Sequence, residues 1–329
     1  MSNISNSPSH NFRTKVGYWF RMLDPQITGL FLALLFLVVL IGVQTPDKFF
    51  RPVNLLNIGL AITAVGLVAI AQTVIIISGG LDISVGSVVA ISGVAAAFAM
   101  QAVPNVVFGV IVGLLVGALA GFINGLVITY GRIIPVIATL GTLSIFRGIA
   151  FIATNANPVG VVNEDFNALG SGWLFGVLPV PVLILIIVWL ISFIFLKYTD
   201  IGRNVFVMGG NPLAARLAGI SLNRYKIGLY TVCGLITGLA GVVMTARANS
   251  GQPNAGVGLE LESITGAVLG GTVMAGGRGG VVGTLLGVII IGTLNNGMIL
   301  LGVPTFYQQV ARGLLLVIAM LLQNTRIRK

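Results

Sequence analysis

Charged residues are scarce in this sequence. Asp, Glu, Lys and Arg make up 8% of the 329 residues and hydrophobic residues make up 56%, whereas a soluble domain carries roughly 25% charged residues. Eight acids and eighteen bases are too few to cover the surface of a water-soluble globule of this length. The apolar content equally excludes a disordered chain. The composition therefore predicts an all-α polytopic membrane protein.

Cysteine and histidine each occur once. Cys233 lies in an apolar stretch and cannot form an internal disulfide, and His10 lies in a polar tail. No lysine follows a glycine, so a Walker A phosphate loop is absent, and the chain has no HExxH, CxxC or GxSxG motif. These absences predict a chain with no catalytic residue, no metal site and no cofactor of its own.

Ten apolar stretches are long enough to span a bilayer. Basic residues crowd the loops on one side, such as those around Arg203 and Arg278, and only Lys48, Arg51 and Arg247 fall on the other. This bias predicts cytoplasmic termini, and it explains the net charge of +10 without nucleic-acid binding. The stretches cover residues 27–43, 55–78, 84–102, 106–130, 133–153, 180–197, 225–247, 261–277, 281–302 and 305–322. The predicted organisation is a cytoplasmic tail at 1–24, a transmembrane domain at 25–323 with an external loop at 154–178 and a cytoplasmic loop at 198–224, and a cytoplasmic tail at 324–329.

Glycine, at 45 residues, is abundant and regularly spaced. A residue that recurs every fourth position lies on one face of a helix, and a bare face lets a second helix approach its backbone. This spacing predicts close helix packing in three of the spans, at Gly113, Gly117, Gly121 and Gly125, at Gly234 and Gly238, and at Gly283 and Gly287.

Two parts of the chain resemble each other at an offset of five spans. An odd offset reverses direction across the membrane, so the likeness predicts a five-plus-five inverted repeat, which is typical of transporters that work by alternating access. Chance similarity in low-diversity apolar sequence is the alternative. The matched features are residues 121–128 with 293–300, Pro135 with Pro304, and the Arg147-Gly148 pair with Arg312-Gly313.

The segment between the second and third spans predicts a broken helix. Gly79 and Gly80 end one helix, and Asp82 or Ser84 can cap the next one, where free amides favour an acid. The alternative is an ion or proton site at the break.

Charged and amide side chains in other spans give further candidates. Arg147 and Arg312 lie inside spans, where a structural role is favoured over a functional one. Glu260 and Glu262 begin the eighth span near the predicted outer face, where they serve the first helical turn or form a docking rim for an external partner. Three asparagines, Asn124, Asn295 and Asn296, either line a substrate pathway or bridge helices.

Three blocks of the sequence resemble a known family. Together they are similar to the permeases of monosaccharide ABC transporters, the ribose, xylose and arabinose type, and the wording is nearest to the ribose branch. The likeness runs from about Pro46 to Leu322. The blocks are residues 79–87, residues 202–220, and residues 258–272 with 282–287 and 294–297.

The resemblance implies an ABC importer permease of about ten transmembrane helices in a bacterial inner membrane. Such a permease pairs with a second copy or a homologue. It binds a cytoplasmic ATPase subunit that holds ATP and magnesium, and it receives a pentose or hexose from a periplasmic or lipid-tethered binding protein. A stand-alone secondary carrier or facilitator remains the alternative, and no nucleic-acid partner is expected.

The second block resembles the segment that couples such permeases to their ATPase. Its turn at Gly210-Asn-Pro212 and the short stretch from Leu213 to Ile220 predict a helix too short to be stable without a partner. Arg216 either pairs with an acid of the ATPase or only anchors the loop on the positive side. The residues assigned to coupling are Gly202, Arg203, Asn211, Ala214, Ala215, Arg216 and Gly219.

Overall fold

The computed structural model describes residues 25–327 and shows a bundle of long helices. The predicted tail 1–24 and residues 328–329 of the predicted tail 324–329 lie outside the described residues. The helices are α1 (Pro25–Gln44), α2 (Pro46–Phe49), α3 (Pro52–Ile77), α4 (Val85–Ala102), α5 (Val106–Tyr130), α6 (Pro135–Thr154), α7 (Glu164–Ser171), α8 (Val180–Tyr198), α9 (Asp200–Gly210), α10 (Pro212–Leu217), α11 (Leu222–Ala248), α12 (Leu259–Leu269), α13 (Val281–Leu300) and α14 (Thr305–Ile327). The strands are β1 (Val159–Gly160), β2 (Trp173–Leu174), β3 (Leu178–Pro179) and β4 (Ser250–Gly251).

Eight of the described helices are long and apolar enough to cross a membrane, namely α1, α3, α4, α5, α6, α8, α11 and α13. An all-α polytopic membrane protein is therefore confirmed. Part of α14, from Thr305 to Leu321, is a shorter apolar helix. The count of ten spans and the inverted repeat stay predictions.

The eighth apolar stretch is not one continuous helix. Helix α12 has 11 residues and ends at Leu269, so it is about 16 Å long, roughly half of the bilayer core. Residues 270–280 then form turns in which Gly271, Gly276 and Gly277 have positive φ angles. The expectation of a spanning helix over 261–277 is wrong because glycines near the end of this stretch stop the helix early, and its mean hydropathy does not register their effect.

The predicted glycine face of α5 packs against α11. Gly117 lies against Gly238, where an added Cβ would come within 2.7 Å of the Gly238 Cα, and Gly121 lies against the carbonyl of Tyr230. Only backbone occupies the space between the two helices at these positions. The prediction of close helix packing is confirmed here, and Gly283 and Gly287 of α13 pack in the same way against α12.

The two predicted loops both fold. Residues 154–178 contain β1, α7 and β2, and β1 pairs antiparallel with β4 beyond the end of α11. The predicted cytoplasmic loop, 198–224, is almost entirely helical, because α9 and α10 follow α8 with little chain between them. That these loops lie on opposite sides of the membrane remains a prediction.

Candidate functional site

A break between α3 and α4 forms the first part of the site. Helix α3 ends at Ile77, and Gly79 takes a φ of 81°, which turns the chain away from the helix axis. The chain then folds back into the bundle, so that Asp82 is only 1% exposed. Helix α4 begins at Val85, so seven residues lie between it and the end of α3. The predicted helix break is thus present, and it lies inside the protein.

The Asp82 carboxylate is surrounded by hydrogen-bond donors. Its Oδ1 atom accepts from the Ser84 amide at 2.8 Å and from the Ser84 hydroxyl at 2.6 Å. Its Oδ2 atom accepts from the Asn124 amide nitrogen at 3.3 Å, and that nitrogen also donates to the Ser84 hydroxyl at 2.8 Å. A buried carboxylate is costly unless donors satisfy it, and here both oxygens are satisfied.

Four helices hold the backbone of this break. From α3, the Gln72 side chain donates to the Asp82 carbonyl, and its oxygen accepts from the Asp82 amide at 3.4 Å. The Thr139 hydroxyl of α6 accepts from the Ile83 amide at 3.1 Å. The Tyr230 hydroxyl of α11 donates to the Leu81 carbonyl at 3.1 Å. With Asn124 of α5, these residues fix the break in three dimensions.

Asp82 and Ser84 do not cap the first turn of α4 with their side chains. Ser84 occupies the N-cap position, but its hydroxyl makes no bond to the first amides of the helix. Asp82 instead accepts from the Ser84 amide, which tightens the turn before the helix. The carboxylate therefore organises the break rather than the helix terminus.

A second break separates α11 from α12. Asn249 has a φ of 54° and ends α11, and the chain then runs back along α4. Gly251 packs against Ala97 of α4, and Gly256 packs against Gly86, near the start of the same helix. Gly86 and the end of α4 at Ala102 are about 24 Å apart along the axis. Residues 250–258 thus enter the bundle along α4, first as strand β4 and then as a series of turns.

The start of α12 meets the start of α4 within the protein. Glu260 lies against Gly86, and its Oε1 atom accepts from the Gly258 amide at 3.2 Å. Its Oε2 atom is buried and has no hydrogen-bond partner among the described residues. Two helix N-termini, each with free amides, therefore converge beside one carboxylate. Glu260 thus lies level with the first turn of α4, and its placement near the outer face stays a prediction.

Both arginines inside the predicted spans hold this second break. Arg147 of α6 donates to the carbonyls of Pro253 at 2.8 Å and Ala255 at 2.6 Å. Arg312 of α14 forms an ion pair with Glu262 of α12. These contacts fit the structural role expected for the arginines. A docking role for Glu260 and Glu262 stays a prediction.

Removing both members of the Arg312–Glu262 pair is expected to cost less stability than the two single losses added together. The side chains are 32% and 18% exposed, so a lone charge left there loses its partner without gaining full hydration. We expect Arg312→Gln or Glu262→Gln to cost about 1–3 kcal/mol, and the double variant to cost less than the sum. Thermal unfolding of the detergent-solubilised variants measures the coupling, and additive losses would contradict a direct pair.

The predicted pathway asparagines do not come together. Asn124 is fully buried and is used in the first break. Asn296 of α13 exchanges amide hydrogen bonds with Asn54 of α3 at 2.8 and 3.1 Å, so it bridges helices. The Asn295 oxygen is buried with no hydrogen-bond partner among the described residues. A pathway role for the three stays a prediction.

Sequence reasoning missed Gln72, Thr139 and Tyr230. Each is a polar side chain in an apolar span, and this signal was used for the asparagines and arginines but not for these three.

The segment of α9 and α10 forms the third part of the site. The Thr199 hydroxyl accepts from the Gly202 amide at 2.9 Å and caps α9, and the Asn211 side chain accepts from the Ala214 amide at 3.0 Å and caps α10. Arg203 forms an ion pair with Asp200 in the first turn of α9. Gly202 packs on the last turn of α8. These residues define the geometry of the segment.

Helix α10 presents apolar side chains to the outside. Leu213 and Leu217 are 67% and 82% exposed, and Arg216 is exposed beside them. Ala215 points inward and is buried. A helix of six residues with two bare leucines lacks the packing that would stabilise it alone, so this surface is suited to a partner.

Helix α9 connects this surface to the first break and to the turns that follow α12. Gly209 lies against the Ile77 carbonyl, at the end of α3, and against the Gly277 amide. Gly277 in turn donates its amide to the Ile77 carbonyl at 2.8 Å. Gly276 packs on Gly79 of the first break. Movement of α9 would therefore press directly on the backbone of the first break and of residues 270–280.

Comparisons with known proteins agree over most of the chain. A family model described as the permease component of branched-chain amino acid transport systems matches residues 54–320. The ribose import permease protein RbsC of Bacillus subtilis is 43% identical over 303 residues, which cover 92% of this chain and 94% of that protein. RbsC of Escherichia coli K12 is 40% identical over 90% of this chain and 92% of its own. The L-arabinose ABC transporter permease protein AraH of Azospirillum brasilense is 38% identical over 91% and 88%. No solved structure matches significantly.

Proposed function

The chain belongs to this family of transport permeases, and from that premise we propose that it is the membrane-spanning subunit of an ATP-driven importer of a monosaccharide. The observation that carries the proposal is its identity of 38–43% with ribose and arabinose permeases over about nine tenths of the chain. We propose further that a pentose or hexose is delivered by a binding protein outside the cell, and that ATP and magnesium are held by a separate cytoplasmic subunit.

The exposed surface of α10 supports docking of an ATPase subunit. Leu213 and Leu217 would enter a groove of that subunit, and Arg216 would pair with one of its acids. The ATPase would then displace α9 on binding and hydrolysing ATP. Because Gly209 contacts Ile77 and Gly277, that displacement would reach the first break and the turns after α12 through backbone rather than through flexible side chains.

Broken helices support an alternating pathway through the bundle. Secondary transporters place substrate sites where helices are interrupted and their N-termini face the membrane interior. The break before α12 has this form, with Glu260 and Arg147 beside it. We propose that Asn124 serves transport by holding the first break, and that Asn295 is the asparagine available to a passing sugar hydroxyl.

Reconstitution into liposomes tests the proposal. We expect the chain alone to give no uptake of radiolabelled ribose or arabinose above empty liposomes. Uptake should require the ATPase subunit and the sugar-binding protein that work with this permease. It should also require ATP on the side of the liposome membrane that carries the ATPase. Saturable uptake by the chain alone would support the stand-alone carrier instead and overturn the proposal.

Replacing Gly219 with leucine should uncouple ATP hydrolysis from uptake. Gly219 has a φ of 82°, and an added Cβ meets nothing within 4 Å, so the change reshapes the end of the α10 segment without a clash inside the bundle. The local strain is about 1–2 kcal/mol. We expect normal membrane levels, and uptake at least about tenfold lower per ATP hydrolysed, because 1.4 kcal/mol corresponds to a factor of ten.

Gly176 provides a matched control for this variant. Its φ is 69°, and an added Cβ there also meets nothing within 4 Å, but it lies in the loop 154–178. Gly176→Leu imposes the same strain away from the proposed ATPase surface and should leave the ratio of uptake to hydrolysis unchanged. A normal ratio of uptake to ATP hydrolysis in Gly219→Leu would contradict a role of the α10 segment in coupling.

A further inference from the structure

An open groove lies between α3, α8 and α11 on the side of the bundle. Its volume is about 530 Å³, which is within the usual range for small-molecule sites of roughly 300–1,000 Å³. The walls are almost wholly apolar, from Val74 of α3, Ile191 and Phe195 of α8, and Val232 and Ile236 of α11. Ser192, Tyr225 and Arg224 are the hydrogen-bonding side chains of this lining apart from the thiol of Cys233, and they are too few to bind a row of sugar hydroxyls, so the groove does not fit the proposed cargo.

A glycine keeps the groove open. Gly228 lies on its wall, and an added Cβ at this position would meet nothing within 4 Å. Val232, one turn further along α11, is 54% exposed and faces the same space. Because α3, α8 and α11 are membrane-spanning helices, this surface meets lipid hydrocarbon. The cleft between them offers a single acyl chain contacts on three sides.

A cation lies at one end of the groove. Arg224 lines it in the first turn of α11 and is exposed. Within residues 25–327, the ion pairs are Arg203 with Asp200 and Arg312 with Glu262, so Arg224 has no acidic partner there. The residues that line the groove include no acid. Lys197 lies in the last turn of α8, at the same end.

We propose that the groove binds an anionic glycerophospholipid, with an acyl chain along the apolar walls and the phosphate on Arg224. The apolar length and the unpaired cation at its end match the two parts of such a lipid in position and in charge. The proposal rests on the proposed membrane orientation, in which the Arg224 end faces the cytoplasm. Ile201 of α9 also lines the groove, so the lipid would brace α9 against the bundle beside the coupling segment.

Native mass spectrometry of the purified full-length chain tests this site. Delipidated protein is titrated with phosphatidylglycerol and, separately, with zwitterionic phosphatidylcholine of the same acyl chains. We expect one phosphatidylglycerol to bind at least about tenfold more tightly than phosphatidylcholine, because its net negative charge pairs with Arg224, whereas the choline ammonium of phosphatidylcholine offsets its phosphate and is repelled by Arg224. Equal binding of the two lipids would overturn the proposal.

Two variants separate the charge from the groove. Arg224→Ala should remove the preference for phosphatidylglycerol, and Gly228→Leu should remove the tightly bound lipid by filling the groove. Each variant has a matched control that should bind lipid as the wild type does. The control for the charge is Arg132→Ala, at another exposed arginine. The control for the groove is Gly29→Leu, at a helix glycine whose added Cβ also meets nothing within 4 Å. Unchanged lipid binding in Gly228→Leu would overturn the assignment. It would also be overturned if this variant lost a dimer of two protein chains instead of a bound lipid, because the groove would then be a contact between two copies of the protein. Because these measurements need no sugar and no ATPase, they stand or fall independently of the uptake assay.

Discussion

Replacing Gly121 by leucine is expected to abolish folded protein in the membrane. The Gly121 Cα lies where α5 crosses α11, and an added Cβ would overlap the Tyr230 carbonyl and come within 3.0 Å of the Gly234 Cα. Both obstacles are backbone, so no side chain can rotate away. Overpacking of this kind costs about 3 kcal/mol or more, and the two helices would have to separate along their length.

Separation of α5 from α11 would also disturb the first break. Asn124 is one turn after Gly121 on α5, and Tyr230 is on α11, and both hold the chain between Gly79 and Val85. We expect Gly121→Leu to be lost from the monodisperse peak in fluorescence-detected size-exclusion chromatography, with little protein recovered from membranes.

A glycine with free space beside it is the control for Gly121. Gly141 lies on α6, and an added Cβ there meets nothing within 4 Å. Gly141→Leu should keep the wild-type elution profile, since leucine is also a better helix former than glycine. A wild-type profile for Gly121→Leu would show that the α5–α11 crossing is looser than the structure has it.

The glycine pattern shows how far the sequence alone can lead. A repeat of four places residues on one face whatever surrounds the helix, so the bare faces of α5 and α13 were predictable from the spacing. Which helix covers each face depends on contacts between residues distant in sequence. The pairing of Gly117 with Gly238, or of Gly287 with α12, was therefore not predictable from the spacing.

The glycine turns after α12 are not visible in the hydropathy of the eighth apolar stretch. Residues 261–277 are apolar enough for a span, and hydropathy does not distinguish a full helix from a half helix followed by glycine turns. The position of Glu260 beside the start of α4 depends on the path of residues 250–258 along α4, which is fixed by tertiary contacts at Gly86 and Ala97. Contacts of this kind cannot be read from the sequence alone.

Asp82→Asn is expected to disrupt the first break although the side chain keeps its shape. Donors face both carboxylate oxygens, from Ser84 on one side and Asn124 on the other. An amide has only one oxygen, so with the Asn124 nitrogen held toward position 82 by the Ser84 hydroxyl, either orientation of the new amide sets its NH₂ group against a donor. A buried, unsatisfied donor costs about 1–3 kcal/mol, and we expect a lower yield of folded protein and a several-fold loss of sugar uptake.

Exchanging the two side chains should reverse much of this loss. In the double variant Asp82→Asn with Asn124→Asp, the amide oxygen at position 82 accepts from the Ser84 amide, and its NH₂ group donates to the carboxylate now at position 124. The Ser84 hydroxyl also keeps a carboxylate to donate to. Asn124→Asp alone should give less folded protein than Asp82→Asn or the double variant, because it sets two carboxylates against each other in a buried site.

These variants decide between the two roles that the sequence left open for Asp82. An anchoring role needs a donor and an acceptor in the right places, so the exchanged pair should recover both folded yield and uptake. An ion or proton site needs the carboxylate on the chain between α3 and α4, so the exchanged pair would recover folding but not uptake. If Asp82→Asn alone matches the wild type in both measurements, neither role stands, and the hydrogen bonds around Asp82 do not hold the break in place.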